Sequence, residues 1–308
     1  MEKDLKRRVI ALEAGGAVAL PEGYVLPARL AYSIEQTGCA IVSFGSERVC
    51  KTISSEDPDF TLVEVPGKGF NMMRKNKVFL WNVRLEPIVY AGNDNCTFML
   101  DPSEKDPTAY IAVNGADIEC LRKALSDYVP IYGFGRCIVS GPVSTALRDV
   151  IACIRSHDIS DVVYNADSVI SKDYMEELRD SGVTGFRLDI IAARRDMFSK
   201  LHSGEDQGDY TYCLKNAARV FGKGNVSTII VCGIGEGKAD LDILMESICR
   251  AGVVPVLMNA SSCEGLRSSL DRIGSKWRRI LPEEQTVISD MRMTVMKRHG
   301  LDEGCKED

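Results

Sequence analysis

The side chains with most to offer chemically are three carboxylates. Asp167, Asp189 and Glu236 each lie at or just beyond the end of a short apolar run. Carboxylates placed at the mouth of a fold can be tuned by burial to act as general acids or bases. Asp189 and Glu236 are the candidate catalytic residues. Arg187 precedes Asp189 by two positions. Ser140-Gly141, Asn165, Gly233, Gly235 and Asn259 stand at the ends of the other runs. Together with Arg187, Asp189 and Glu236 they form a candidate binding set for a small molecule. Glycines at such positions let a ligand approach backbone N–H groups closely.

Each of these residues also has a plainer reading. Asp189, inside an apolar strand, fits a buried and hydrogen-bonded structural acid. Glu236 fits a first-turn acid that favours a helix dipole. Arg194 and Arg195 fit solvated helix charges. The glycines at 233–237 are spaced G-x-G-x-G, not G-x-G-x-x-G, and no acid ends a strand some 20 residues on, so they do not make a dinucleotide fingerprint. There is no P-loop, no H-E-x-x-H and no G-x-S-x-G, and His157, His202 and His299 are scattered.

Cysteine is abundant: 11 residues, at 39, 50, 96, 120, 137, 153, 213, 232, 249, 263 and 305. No two are spaced C-x-x-C and none pairs with a nearby histidine, so no metal site is assigned. Cys137, Cys153, Cys232 and Cys249 lie in apolar runs and read as small buried hydrophobes, reduced in the cytosol.

The elements that must position these residues alternate regularly from residue 86 onward. Strand-like runs at Pro87–Tyr90, Arg136–Ser140, Asp161–Asn165, Gly185–Ile191, Ser227–Gly233 and Val254–Asn259 are apolar enough to be covered on both faces. Between them lie helical stretches at Ala116–Asp127, Ser144–Ser156, Ser171–Ser181 (N-cap Ser171, stopped by Gly182) and Lys238–Arg250. Such alternation predicts βαβ units and a parallel sheet, either open or barrel-like. Residues 1–80 break the rhythm and form a small N-terminal α+β extension, with strands at Gly38–Phe44 and Phe60–Val65. From Pro282 a helix capped by Lys297, Arg298, His299 and Gly300 closes the chain, with a frayed tail. The domains expected are 1–80, 81–281 and 282–308.

Composition sets limits on partners. The chain has 308 residues, 45% hydrophobic and 27% charged, with 38 basic against 44 acidic side chains, a net charge of −6. That balance argues against a nucleic-acid binder and against a polybasic membrane anchor. No apolar run is long enough to span a bilayer, and the charged start is unlike a signal peptide, so a cytoplasmic location is expected.

From residue 86 to about 280 the order of motifs resembles the radical S-adenosylmethionine superfamily, in its biotin-synthase-like branch. The resemblance rests on Ile230-Val231-Cys232-Gly233-Ile234-Gly235-Glu236, which is similar to the signature that supports the adenine. It rests also on Arg187 and Asp189, in the places of the family's ribose and methionine contacts. It implies a partial (β/α)6 TIM-like barrel, matching the six runs, and S-adenosylmethionine as cofactor. Ser140-Gly141-Pro142 stands where the family has a Gly-Gly-Glu-like motif, so the acid is missing. The cluster motif C-x3-C-x2-C is reduced to Gly92-x3-Cys96-x2-Met99, and a [4Fe–4S] cluster needs thiolates. The resemblance therefore implies a member without its cluster, one that binds a small adenosyl-type ligand or serves as the protein partner of an active paralogue in cofactor biosynthesis or modification. Two alternatives stand beside it. One is an iron-independent transferase or lyase using the same mouth. The other is an active radical enzyme with ligands relocated to Cys39 and Cys50.

Overall fold

The computed structural model describes residues 8–9, 11–12, 15–45, 47–56, 58–92, 96–101, 107–115, 118–142, 144–262 and 264–301. Two sheets organise the chain. The first has six strands: β1 (Val18–Ala19), β2 (Cys39–Phe44), β3 (Glu47–Thr52), β4 (Phe60–Val65), β5 (Gly69–Arg74) and β6 (Lys77–Glu86), in the spatial order β1-β4-β5-β6-β2-β3. Helix α1 (Ala28–Thr37) lies against β2. Alternation along β4 (Phe60 and Leu62 buried, Thr61 and Val63 exposed) turns one face onto a core that includes Val42, Phe44, Phe70, Met72, Leu80 and Val83. This sheet runs through Glu86.

The second sheet has eight strands. β7 (Val89–Gly92) and β8 (Cys96–Asp101) pair antiparallel at one edge. Six parallel strands follow: β9 (Thr108–Val113), β10 (Arg136–Ser140), β11 (Asp161–Ala166), β12 (Gly185–Leu188), β13 (Val226–Cys232) and β14 (Val253–Asn259). Their connections are α2 (Glu119–Tyr132), α3 (Thr145–Arg155), α4 (Lys172–Asp180), the pair α5 (Arg195–Leu201) and α6 (Gln207–Phe221), and α7 (Lys238–Arg250). After β14 come α8 (Glu264–Arg272) and α9 (Pro282–Arg298). Strand order never reverses from β9 to β14. Crossovers of one hand then place every connecting helix on one face, and the sheet curls away from them into a half-barrel.

Local signals behave as the residue types dictate. Ser171 accepts the Tyr174 N–H (3.2 Å) and starts α4. Helix α9 begins with Pro282, carries Glu283 and Glu284 in its first turn and Lys297 and Arg298 in its last, and Gly300 leaves it at φ 61°. Helix α2 continues past Pro130 to Tyr132, beyond the expected end at Asp127. Pro130 lies in the last turn, where its missing N–H costs one bond, and the Gly133 N–H still caps the Val129 carbonyl.

The principal correction concerns the first strand. The run expected at Pro87–Tyr90 is β7, an edge strand antiparallel to β8, not the first strand of a βαβ unit. The first parallel strand is β9, a run not among the expected strands. Six parallel strands are present, but their membership is shifted and two antiparallel strands extend the sheet. The architecture is thus a mixed eight-stranded half-barrel rather than a (β/α)6 array opening at residue 86. Among the described residues, no helix is long and apolar enough to cross a membrane.

Candidate functional site

On β10, β11 and β12, alternation separates two faces. Cys137 and Val139, Val162, Tyr164 and Ala166, and Phe186 and Leu188 join the core beneath the helices. The intervening positions face the inside of the half-barrel. There the register aligns Ala112, Ser140, Asn165, Arg187 and Ser227 across five neighbouring parallel strands, with Tyr110, Ile138, Val163 and Gly185 one step before them. Four polar side chains therefore stand side by side on β10–β13. Arg187 and Ser227 are buried, whereas Ser140 and Asn165 are half-buried. The Asn165 Oδ1 is enclosed yet has no hydrogen-bond donor among the described residues.

Asp189 joins this row through a break in β12. The Arg187 Nε donates to Asp189 Oδ1 (2.9 Å), and the Ile229 N–H donates to the same oxygen (3.0 Å). The Thr228 hydroxyl accepts the Ile190 N–H (2.9 Å), and Ile191 then resumes pairing with β13 through Ile229 and Val231. The carboxylate thus replaces a missing ladder acceptor. Ile191 sits at φ 62° with an Ala192 N–H to Ile190 carbonyl bond of 2.6 Å, a γ-turn of the strained kind. A β-branched residue in this conformation is held by its surroundings, and Asp189 is part of what holds it. Both readings of Asp189 meet here: it is a structural strut, and its other oxygen, Oδ2, carries no hydrogen bond among the described residues.

Behind the turn, His202 stacks on Phe198 (4.1 Å between ring centroids) and meets the edge of Tyr210. Burial pushes its imidazole below the usual histidine value, against the opposing pull of Glu205. The Tyr210 hydroxyl donates to Glu205 Oε2 (2.6 Å), and burial together with this carboxylate raises the phenol well above its ordinary range.

The remaining candidates lie elsewhere. Glu236 folds back on its own strand end: Oε1 accepts the Gly233 N–H (2.6 Å) and Oε2 the Ile234 N–H (2.9 Å). The Gly233 carbonyl accepts the Arg278 N–H (2.7 Å), and a Cβ at Gly233 would stand 2.3 Å from the Arg278 carbonyl oxygen. Close approach explains this glycine, and the approaching group is the chain itself. The same holds for Gly141, where a Cβ would lie 2.3 Å from the Val113 carbonyl oxygen. Gly235, by contrast, has nothing within 4 Å of its Cβ position. The carboxylates of Asp189 and Glu236 hold amides four positions apart, Ile229 within β13 and Gly233 just past its end, about 13 Å along the chain. They do not converge on one bond. Asn259 pairs in register with Cys232, on the opposite face from the Arg187 row. The structure therefore unites Ser140, Asn165, Arg187 and Asp189, and separates Gly233, Gly235, Glu236 and Asn259 from them. Asp167, the third carboxylate, follows the end of β11 and is exposed.

Sequence reading missed Ser227 and Tyr110. Ser227 is the second residue of a mostly apolar strand, and its place beside Arg187 follows from strand stagger. Tyr110 lies on β9, outside the expected strands.

The residues do not fit the cluster frame. Cys96 is 1% exposed and sits within β8, paired opposite Val113 on β9. Gly92 offers no ligand atom, and Met99 offers a thioether in mid-strand. The loop that does follow the first parallel strand, residues 114–118, contains no cysteine. Cys39 and Cys50 belong to β2 and β3 of the other sheet. Among the described residues, no three of His, Cys, Asp and Glu are grouped to hold a metal ion. Cys137 and Cys232 are buried thiols, and burial pushes Cys232 up to about 12. Residues 93–95, Cys263 and Cys305 lie outside the described residues.

No family model and no curated protein matches the chain. Solved structures similar to parts of it include coproporphyrinogen III oxidase (HemN) from Escherichia coli, a radical SAM enzyme, at 12% identity and TM-score 0.44, covering 58% of this chain and 44% of that one. The citrate synthase SbnG is similar at 11% identity and TM-score 0.32, covering 62% and 74%. A GMP reductase from Trypanosoma brucei, in complex with guanosine 5'-triphosphate, is similar at 13% identity and TM-score 0.33, covering 61% and 44%. The chain thus spans less than half the length of HemN and of the GMP reductase. All three scores are low, and none assigns an activity.

Proposed function

We propose that this chain is a radical-S-adenosylmethionine-like (β/α)6-derived half-barrel of the biotin-synthase type that works without the usual cluster and binds a small adenosyl-type molecule on its inner face. The observation that carries the reading is the row Ser140–Asn165–Arg187–Ser227 with Asp189 beside it. Arg187 and Asp189 neutralise each other, so the row does not call for a strongly charged guest. The Asn165 Oδ1 is an enclosed acceptor without a donor among the described residues, and the partly exposed Asp189 carboxylate accepts through Oδ1 alone. An enclosed acceptor left unmatched is costly, so the fitting guest brings donors: ribose hydroxyls, an ammonium or an exocyclic amine. S-adenosylmethionine has all three. Its ribose diol would meet Asn165 and Asp189, and Ser140 would add a hydroxyl. The bound sulfonium would supply an electrophilic carbon, and this chain's side chains would orient it. Without the thiolates for a cluster, the protein acts as a binding subunit beside a catalytic paralogue, in cofactor biosynthesis or modification.

Calorimetry of the full chain with S-adenosylmethionine tests this. Saturable binding that falls about tenfold or more in Asn165→Leu is expected. Equal binding by that variant would place the guest elsewhere. Anaerobic reconstitution with iron and sulfide tests the second clause, and about four irons per chain would overturn it.

The free oxygen of Asp189 also favours a second reading, an iron-independent transferase or lyase in which Asp189 takes a proton from the bound guest. Turnover of S-adenosylmethionine in metal-free buffer would select it.

A further inference from the structure

We propose that the N-terminal sheet carries a separate site for the phosphate group of a small phosphorylated molecule, built from Arg48, Lys68 and Arg84 around the Ser43 hydroxyl. Ser43 on β2 pairs in register with Arg48 on β3 and with Arg84 on β6. Directly opposed residues of antiparallel strands share a face, so the two arginines flank the serine, their Cα atoms about 10 Å apart across two strand spacings. Ser43 and both arginines line one hollow.

The turn between β4 and β5 brings the third cation. The Lys68 N–H is held by the Val65 carbonyl (2.9 Å), and Gly67 turns at φ 73°. Gly69 is pressed onto β6: a Cβ there would stand 2.6 Å from the Val83 carbonyl oxygen and 3.6 Å from the Arg84 stem. The turn is therefore fixed next to Arg84 by a contact only glycine permits. Asn82, at φ 54°, completes the wall. The open hollow between them has a volume of 710 Å³, within the range of small-molecule sites, and is bordered by Ser43, Arg48, Lys68, Asn82, Arg84 and Glu86.

Charge decides the ligand class. Among the residues that line the hollow, three cations meet one acid, Glu86, which pairs with Arg48 (3.3 Å). Lys68 and Arg84 have no ion-pair partner among the described residues. In a chain of net charge −6, like charges gathered around one hollow work against the average field. Two guanidinium forks, an ammonium and a hydroxyl supply the donors a tetrahedral dianion accepts. The cluster is confined to one hollow rather than drawn out as a stripe, which favours a small phosphorylated molecule over a nucleic-acid strand. This site is on the other sheet from the Arg187 row and does not depend on that reading.

Calorimetry of the full chain with inorganic pyrophosphate tests it. Saturable binding is expected, weakened about tenfold or more by Lys68→Ala and by Arg84→Ala. Lys123→Ala, on the exposed face of α2, leaves it unchanged. Glu86→Gln removes the competing acid and tightens binding about threefold. All four positions are exposed or half-buried surface sites, and thermal melts check that the variants fold. The proposal is overturned by the absence of saturable heat up to about 10 mM pyrophosphate. It is equally overturned by wild-type binding in Lys68→Ala and Arg84→Ala, by no tightening in Glu86→Gln, or by a single-stranded oligonucleotide binding much more tightly than pyrophosphate.

Discussion

Asp189 serves as a strut before it can serve as anything else, and removing its partner measures how much it holds. Arg187→Met keeps the aliphatic stem and deletes the guanidinium. Side-chain exposures are 11% for Arg187 and 26% for Asp189. Breaking a fully buried pair costs about 3–5 kcal/mol, and a quarter-exposed carboxylate recovers part of that from water, so a loss of about 2–3 kcal/mol follows. Asp189→Ala strips the acceptor from the Ile229 N–H and leaves Arg187 without this partner, a loss of similar size. Because both variants break the same contact, the double variant should lose less than their sum, with a coupling of about 1–2 kcal/mol. Urea unfolding followed by circular dichroism and by the fluorescence of Trp81 and Trp277 provides the cycle. Slopes should match across the four proteins. A coupling below about 0.5 kcal/mol, or an Asp189→Ala variant as stable as the wild type, would refute the strut.

Three further outcomes follow from the geometry. Gly233→Ala meets the Arg278 carbonyl and a φ of 96° and should cost about 3 kcal/mol, whereas Gly235→Ala meets only its φ of 103° and should cost about 1 kcal/mol; similar melting temperatures for the two would show that the 275–281 segment does not press on β13. The folded-state imidazole of His202 is depressed by burial, so the unfolded chain takes up the proton first as acid is added. Its contribution is complete above the ordinary histidine value and is lost as pH falls through the lower folded one. Melting temperature should therefore drop on acidification from about pH 7, and His202→Phe should flatten that slope, as differential scanning fluorimetry would record. In native protein Cys50 should alkylate with iodoacetamide while Cys96 stays unmodified until denaturant is added, since one is exposed and the other 1% exposed; mass spectrometry showing early labelling of Cys96 would put it outside β8.

Features governed by local chemistry were legible before the structure. Ser171 capped its helix, Gly182 ended it, Pro282 and Gly300 bracketed α9, and the strands ending at Ser140, Asn165 and Asn259 fell within a residue or two of their places. Each depends on neighbours in the chain, where residue type and spacing act directly. The reading failed at β9, whose Thr-Ala-Tyr-Ile-Ala-Val run is small and lightly apolar and becomes a strand by pairing with both β8 and β10. It failed with it at the cluster frame, because Gly92, Cys96 and Met99 keep a spacing that suggests a loop while lying on two paired strands.

The roles of the candidate site residues were decided in three dimensions. Sequence alone established a parallel α/β chain with polar residues at its strand ends. It could not tell that strand stagger carries Arg187 opposite Ser227, or that Glu236 holds an amide about 13 Å beyond the one Asp189 holds. Nor could it tell that Glu236 closes on its own backbone amides, or that Gly233 yields to Arg278 rather than to a ligand. Register and tertiary approach depend on pairings between residues 20 to 50 positions apart, and no local spacing encodes them.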